Sequence, residues 1–395
     1  MAAPQTPGRF FFHRDHLLIV VGAFVLLGVV SFVTLNISFL NPVSRAWKAF
    51  SVTDLFFDIQ HYGPSGESPA IAVVDISDVE DRGDLAVLLE RVALCDPACM
   101  GVDAIFEGLR SDEEGNARLV DAVRTYGDKM IFTCKLTDYD RQAGCFTSSV
   151  HSFFADSLPI REGYANLKNN LDNLPVRKLS VQNKLGANTV KSFPAAIVEQ
   201  FAGRSLENHG EDWLINYRNV VFRVIAPDDI EQEAGFLEGK IVLLGGVREE
   251  RDAHVSPLGK MPGVMIQAYT VDTLLGKKVR YLPSWINWIL AFVLCFLFQV
   301  TVEALVKATG QGRRVVPATF LRESRIVPGN TLFLFSALLT YLTFVIFTKW
   351  GFCIDIAIVL TLFALTLESR KLYRSSVIAL SKRYSGRFIQ NSIYT

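Results

Sequence analysis

The sequence predicts an α/β domain that lies outside the cytoplasm and is anchored by four transmembrane helices, one before the domain and three after it. Four apolar runs are long enough to cross a bilayer. Between the first and the second, short apolar runs alternate with helical patterns, as in a sheet covered by helices. The chain carries 40 basic and 40 acidic side chains, yet this central segment is acidic and its flanks are basic. The charge asymmetry predicts the orientation.

Each apolar run is close to the ~20 residues that cross a hydrocarbon core. The predicted spans are 17–40, 284–306, 329–348 and 350–367. Only Arg9 and Arg14 precede the first run as basic residues, its apolar part is longer than that of a signal peptide, and no A-x-A-like site follows it. We therefore predict an uncleaved anchor.

Cytoplasmic segments of membrane proteins are enriched in Lys and Arg. This rule places the basic segments 1–16, 307–328 and 368–395 in the cytoplasm and the acidic body 41–283 in the periplasm or outside the cell. Four tryptophans then fall at the predicted outer interface, where amphipathic rings are favoured: Trp47, Trp285, Trp288 and Trp350. We predict a multi-pass protein of the inner (cytoplasmic) membrane with both termini in the cytoplasm.

Within the body, apolar runs bounded by polar residues predict strands at 70–76, 99–106, 129–135, 212–217 and 240–246. Helical periodicity predicts helices at 84–95, 114–127, 190–203 and 262–276. The βαβαβ order at the start predicts a largely parallel sheet with right-handed crossovers. The stretch 136–190 is polar and turn-rich, which favours an insertion with peripheral strands such as 176–183.

Four of the six cysteines lie in the body, and an oxidising compartment favours disulfides. Cys134 and Cys145 flank a polar loop that can close as a hairpin, and Cys95 and Cys99 lie four residues apart across a proline. Free buried thiols are the alternative. No acidic or histidine partners at metal-ligand spacing accompany these cysteines, so we predict no metal site.

Acidic residues follow several predicted strands, and ligands bind α/β sheets at the carboxyl ends of strands. The candidate ligand-binding residues are Asp75, Asp78, Asp103, Asp252 and His254. The alternative is that they cap helices and pair with Arg248 or Arg251. No G-x-S-x-G, H-E-x-x-H or phosphate-loop motif occurs. We therefore predict that the protein is not an enzyme, needs no cofactor and binds no nucleic acid.

Two acidic residues fall inside predicted spans, Glu303 in the second and Asp355 in the fourth. Ionisable residues at membrane depth indicate function, although Asp355 is near enough to the interface to reach lipid headgroups or Lys349. The tail 369–395 alternates basic and apolar residues. This pattern fits an interfacial helix on anionic lipid or a docking segment for a cytoplasmic protein.

Four segments together resemble the type-two CHASE domains, which are extracellular sensory modules of bacterial signalling proteins. They are "VVDISD" (73–78), "GVDAIFEG" (101–108), "GYANLKNNLDNLPVRKLSV" (163–181) and "LEGKIVLLGGVREERDAHVSPLGKMPGVMIQAYTVDTLL" (237–275). The resemblance covers roughly residues 17–368 and implies one anchor, the sensory domain and three further spans. Relatives usually continue into a kinase or cyclase output domain, whereas this chain stops 27 residues after Glu368. The resemblance therefore implies a separate output partner.

The leading interpretation is a membrane-anchored sensory or signal-transduction subunit that relays a stimulus, either a small molecule or a protein, to a separate protein. The alternative is a structural scaffold subunit of a cell-envelope membrane complex. Transport is disfavoured because few polar residues occupy the four predicted spans. A homodimer is expected because signalling spans often pair and twofold symmetry is the commonest oligomeric symmetry.

Overall fold

The computed structural model describes residues 13–36, 51–167, 174–206, 212–248, 252–276, 279–311, 326–382 and 391–394. They divide into two compact units, which are described separately. The first unit is Thr53–Arg280, called the body here. The second, called the membrane unit, combines Met1–Val52 with Tyr281–Thr395.

The helices of the described residues are numbered in chain order. They are α1 (Arg14–Asn36), α2 (Val52–His61), α3 (Arg82–Leu94), α4 (Glu113–Tyr126), α5 (Phe193–Ala202), α6 (Ala234–Leu237), α7 (Gly263–Leu275), α8 (Ser284–Gln311), α9 (Ile326–Trp350) and α10 (Ile356–Ser381). The strands are β1 (Gly66–Asp75), β2 (Cys99–Val102), β3 (Met130–Asp140), β4 (Cys145–Val150), β5 (Arg161–Tyr164), β6 (Lys178–Leu179), β7 (Gln182–Leu185), β8 (Asn188–Lys191), β9 (Trp213–Leu214), β10 (Val220–Ile225), β11 (Ile241–Gly245), β12 (Ala253–Ser256), β13 (Gly259–Pro262), β14 (Arg280–Tyr281) and β15 (Phe352–Cys353).

The body is built on a mixed sheet with the strand order β10-β1-β11-β2-β3-β4-β7-β8, and β5 also pairs with β3. Strands β10, β1, β11, β2, β3 and β5 pair in parallel. The antiparallel pairs β3–β4 and β7–β8, joined by a short parallel contact between β4 and β7, extend one side. The prediction of an α/β sheet flanked by helices is confirmed in this form: the parallel part forms the core, and the polar segment 136–190 supplies the antiparallel extension.

Helices cover both faces of the parallel part. On one face α3 and α4 pack with alternate sheet residues in a buried cluster that includes Leu89, Leu119, Val74 and Val242. On the other face α5 and α7 pack against the central strands. Burial on both faces explains why the central strands are continuous apolar runs. Strand β11, for example, is buried at every residue.

Acidic residues start the two helices of the first face. The Asp81 carboxylate accepts a hydrogen bond from Gly83 N (2.6 Å) at the start of α3. The Asp112 carboxylate accepts one from Gly115 N (3.0 Å) at the start of α4. Such caps satisfy amide groups that have no partner within the helix.

The sequence prediction missed helix α2, which packs on the body. Asp54 of α2 accepts a hydrogen bond from Arg177 Nε (2.9 Å). The Phe57 ring lies edge-on to the Tyr217 ring, with centroids 5.8 Å apart. These contacts hold the first helix of the body to the segments that precede β6 and β10.

The predicted disulfides are wrong, because all six cysteines are free. Cys145 pairs across the sheet with Asp140, whereas Cys134 lies opposite Tyr164. Cys134 and Asp140 lie six residues apart along strand β3, so Cys134 is roughly 20 Å from the position that Cys145 faces. This distance is far beyond the reach of a disulfide. Cys95 Sγ donates to Arg91 O (3.3 Å), on the α3 face. Burial raises the pKa of both Cys99 and Cys134 to about 12.

In the membrane unit, three helices are long and apolar enough to cross a bilayer among the described residues: Arg14–Val33, Ser284–Ala308 and Val327–Trp350. The predicted fourth span, 350–367, is not among them. Trp350 ends α9, Gly351 turns the chain with a positive φ of 67°, and α10 begins only at Ile356. The apolar part of α10 therefore spans 356–367 before the charged residues Glu368, Arg370 and Lys371.

The helices of the membrane unit pack through aromatic side chains. The Phe24 ring of α1 lies 5.9 Å from the Phe292 ring of α8. Phe298 of α8 stacks on Phe363 of α10 with centroids 4.8 Å apart and contacts Phe335 of α9 at 5.4 Å. Helix α10 thus packs inside the same bundle as the three candidate spans.

Candidate functional site

The ends of three neighbouring parallel strands meet at the carboxyl edge of the sheet. Strand β11 lies between β1 and β2, and Asp75 at the end of β1 is level with Gly245 at the end of β11. On the other side, Asp103 follows β2 and its amide donates to Leu244 O (2.8 Å). Asp75 and Asp103 therefore flank the same strand end, roughly 10 Å apart because two strand spacings separate their backbones.

On the β1 side the acids are held by Arg248, in the turn after β11. Arg248 Nε donates to Asp75 Oδ2 (2.9 Å), and its Nη2 donates to Asp78. The Ser77 hydroxyl donates to Asp75 Oδ1 (2.5 Å) and accepts the amide hydrogen bond of Val247 (2.9 Å). Asp75 and Asp78 thus tie the turn after β1 to the turn after β11.

The charge of Asp75 follows from these contacts. Desolvation alone would raise its pKa, but hydrogen bonds from Ser77, Val247 and Arg248 outweigh it and hold the pKa of Asp75 below its usual value. Asp75 therefore stays ionised at neutral pH, which suits a structural link.

On the β2 side lie Asp103, Asp252 and His254. Asp252 Oδ2 accepts a hydrogen bond from Gly263 N (3.2 Å), the first residue of α7, and its Oδ1 lies 3.2 Å from His254 Nε2. Desolvation of half-buried Asp103 raises its pKa to about 7; the charge of Asp252 adds to the rise, and His254 opposes it. Asp103 therefore changes charge near neutral pH beside the carboxylate that caps α7.

Two glycines allow α7 to approach this edge closely. A Cβ on Gly245 would lie 2.6 Å from Val264 Cβ, and one on Gly263 would lie 2.4 Å from Asp252 Oδ2. Real Cβ atoms do not approach neighbours so closely. The glycines of "KIVLLGG" and "MPGV" therefore let the start of α7 lie directly on the end of β11.

The structure brings the predicted ligand-binding residues together in two groups rather than one. Asp75 and Asp78 share Arg248, whereas Asp103 faces Asp252 and His254. Arg251 lies outside the described residues. Among the described residues, no group of three or more His, Cys, Asp or Glu side chains could hold a metal ion.

The body also contains a cleft that the sequence did not predict. A cleft of about 580 Å³ lies among β5, β8 and α5 and is lined by Arg161, Lys191, Glu199 and Arg204, among others. Lys191 Nζ donates to Glu199 Oε1 (2.8 Å) at its wall. The lining residues come from three short elements within and after the segment 136–190, and no motif in the sequence connects them.

The remaining predicted residues lie in the membrane unit. Asp355 occupies the N-cap position of α10 and lines a small cavity with Ser284, Asn287 and Trp288. It therefore lies directly before the first residue of α10. Glu303 is buried in α8 and accepts a hydrogen bond from Arg370 Nη2 (2.9 Å).

The predicted interfacial tryptophans fall at the ends of α8 and α9. Trp285, Trp288 and Trp350 are all exposed in the isolated chain. Trp47 lies outside the described residues. The larger parts of the basic loop 307–328 and of the tail after Lys382 also lie outside them.

Residues 23–301 match the family model of the CHASE2 domain. The chain belongs to the CHASE2 domain family. Curated proteins and solved structures gave no significant match. The type-two CHASE domain is an extracellular sensory domain, and with the apolar helices it indicates a membrane protein whose CHASE2 domain lies outside the cytoplasm. The matched residues include most of α1, the whole body and the first two-thirds of α8.

Proposed function

We propose that the protein is a membrane-anchored sensory subunit whose CHASE2 domain detects a stimulus at the carboxyl edge of its sheet. The resulting signal passes through α1 and α8 to a separate partner protein. In this proposal the chain performs no catalytic step and carries no cofactor.

The observation that supports this proposal is the position of α7. Its first residue, Gly263, is capped by Asp252 at the acidic edge. Its last residue, Leu275, is followed by only eight residues, 276–283, before α8 begins. A change in charge or occupancy at the edge therefore acts on a helix that continues almost directly into the membrane.

Helix α7 is also well suited to move as a unit. Nearly all of its residues are buried. Near its end, Asp272 accepts hydrogen bonds from Arg218 Nε and Nη2 (2.6 Å each), and Thr273 Oγ1 accepts one from Asn216 N (2.8 Å). Because α7 is buried and hydrogen-bonded near its end, we expect it to shift as a rigid element. Such a shift carries a signal only if the body has two arrangements and the stimulus favours one of them.

The finer topology is part of the proposal. We place α10 as the fourth crossing, with both termini in the cytoplasm of a cell bounded by an inner membrane. The support is the packing of α10 beside α1, including the hydrogen bond from Ser369 Oγ to Ile19 O (2.7 Å). A homodimer in the membrane completes the proposal and is testable by the mass of the detergent-solubilised particle.

The experiment is a thermal-shift screen of the full chain in lipid nanodiscs against small polar solutes across pH 5–8. A sensor at this edge gives a shift with at least one solute or with protons, and Asp252→Ala removes it. Asp128→Asn, an exposed carboxylate away from the edge, is the matched control and keeps the shift. Absence of any such shift, or its full retention in Asp252→Ala, contradicts the proposed site.

The alternative, a scaffold of an envelope complex, gives a different result in the same assay. Its melting temperature rises only on addition of a purified envelope protein and never with a solute or proton. Purification from native membranes tests the relay separately, since a sensory subunit without a stoichiometric companion protein contradicts the proposed partner.

A further inference from the structure

The membrane unit holds a short C-terminal segment, residues 391–394, against two buried carboxylates. Ser392 Oγ donates to Asp15 Oδ2 (2.6 Å), and Ile393 N donates to the same oxygen (2.8 Å). Tyr394 OH donates to Glu303 Oε2 (2.9 Å). Three consecutive residues of this segment therefore contact two different helices, α1 and α8.

Both carboxylates are almost inaccessible to solvent. Asp15 is 0% exposed and Glu303 is 4% exposed. Buried carboxylates are stable only when donors surround them. Helix α10 supplies further donors: Tyr373 OH to Asp15 Oδ1 (2.9 Å) and Arg370 Nη2 to Glu303 Oε2 (2.9 Å).

Apolar contacts hold the same segment. Tyr394 is buried with Ile19 of α1 and Val377 of α10, and Ile393 and Tyr373 pack against them. The rings of Tyr373 and Tyr394 lie edge to face with centroids 6.1 Å apart. The segment therefore rests in a groove between α1, α8 and α10, held by both polar and apolar contacts.

The geometry makes docking sensitive to the positions of α1 and α8. Ser392 and Tyr394 are only two residues apart, so both can bind only while Asp15 and Glu303 remain at their present separation. These two helices are also the ones through which the chain enters and leaves the body. Sliding or rotation of one against the other would break one end of the contact and expose a buried carboxylate.

We propose that residues 391–394 form a latch that holds α1 and α8 in one arrangement, and that movement of these helices releases it. The latch itself stands on contacts within the membrane unit. Its release by a stimulus rests on the proposed sensory function. The freed segment would present a hydroxyl, an aliphatic and an aromatic side chain in succession.

The test measures how fast a cysteine at position 393 reacts with a water-soluble maleimide. It uses the full chain in nanodiscs, with Ile393→Cys as the reporter and the six native cysteines replaced by alanine. Tyr394→Glu places a carboxylate against Glu303 and is expected to raise the labelling rate at least tenfold. Asn391→Glu adds the same charge at an exposed neighbour and is expected to stay within twofold of the parent.

Each outcome decides the proposal. Equal rates in all three proteins, with monodisperse particles, overturn the latch. A rise in Tyr394→Glu alone supports it. Asp252→Ala, in the body, then tests the coupling: a faster rate supports release by the body, whereas an unchanged rate beside a responsive Tyr394→Glu protein overturns the relay and leaves the latch.

Discussion

At the scale of single residues, Asp103 is a carboxyl group that the fold keeps at an energetic cost. No side chain or amide of the described residues donates a hydrogen bond to it, and desolvation together with the charge of Asp252 raises its pKa to about 7. Asp75 lies on the other side of the end of strand β11. Its pKa is lowered because Ser77, Val247 and Arg248 donate hydrogen bonds to it. The pKa values of the two acids beside the end of β11 therefore shift in opposite directions, because Asp75 has hydrogen-bond donors and Asp103 has none in the described part of the chain.

The Asp103→Asn variant should be more stable than the parent at pH 8, by ~2–4 kcal/mol for a shift of this size. The folded-state pKa lies above the usual value of 3.8, so the folded state binds the proton more tightly than the unfolded state. The cost is therefore absent below about pH 4, grows as the pH rises toward 7 and is constant above it. Chemical unfolding of both proteins from pH 4 to pH 8.5 measures the difference.

Asp128→Asn is the control for this measurement, and because Asp128 is exposed its effect on the free energy of unfolding should stay within about 0.5 kcal/mol. A stabilisation by Asp103→Asn that is equal at pH 4 and pH 8 would contradict the explanation, because an effect of shape alone does not follow the titration of a carboxyl group.

At the scale of elements, the predictable parts were those buried on both sides. Strands β2 and β11 are buried throughout, β1 and β3 contain buried runs at 71–75 and 130–134, and the helices α3, α4, α5 and α7 start and stop close to their predicted limits. The edge strand β10 was missed because its sequence "VVFRVI" follows a polar segment and has no matching turn signal. Strands β4, β7 and β8 are short and polar, so no periodicity distinguishes them from loops.

The cysteine prediction failed for a related reason. A hairpin does form between Cys134 and Cys145, but β3 is eleven residues long and places Cys134 well inside the sheet. Strand register depends on packing across the sheet, which the spacing of two cysteines does not contain. The acidic edge was predictable because strand ends in a parallel sheet share one side, whereas its division into two groups depends on where Arg248 points.

The contact between β5 and α5 gives the prediction at this scale. A Cβ on Gly163 would lie 2.5 Å from Phe193 Cα and 2.7 Å from Phe193 N, so Gly163→Ala forces backbone against backbone. We expect a loss of at least ~2 kcal/mol in the free energy of unfolding, near the upper part of the range for overpacking. Thermal unfolding in nanodiscs measures it.

Gly66→Ala is the matched control, because Gly66 also lies in the sheet and nothing lies within 4 Å of its added Cβ. Its effect should stay within about 0.5 kcal/mol. Equal losses in the two variants would show that the cost comes from glycine flexibility and not from the close approach of α5.

At the scale of the whole molecule, the short apolar part of α10 and the buried polar groups beside it explain each other. The apolar part of α10, residues 356–367, is roughly 18 Å long, shorter than the ~30 Å of a hydrocarbon core. A crossing by α10, as proposed above, places the charged residues that follow its apolar part at membrane depth. Arg370 would be tolerated there because it pairs with Glu303, and Tyr373 and Ser392 likewise donate to Asp15. Apolar length therefore identifies three candidate spans among the described residues, and the proposed fourth crossing rests on the packing of α10.

The side of the membrane reached by Lys382 decides between three crossings and four. Three crossings would place it on the same side as the body, whereas contacts of α10 with Ile19 and Asp15 place it near the start of α1. In a background without native cysteines, Glu238→Cys in the body should react with an impermeant maleimide in intact cells. Lys382→Cys should react only after permeabilisation. Labelling of Lys382→Cys in intact cells would contradict the fourth crossing.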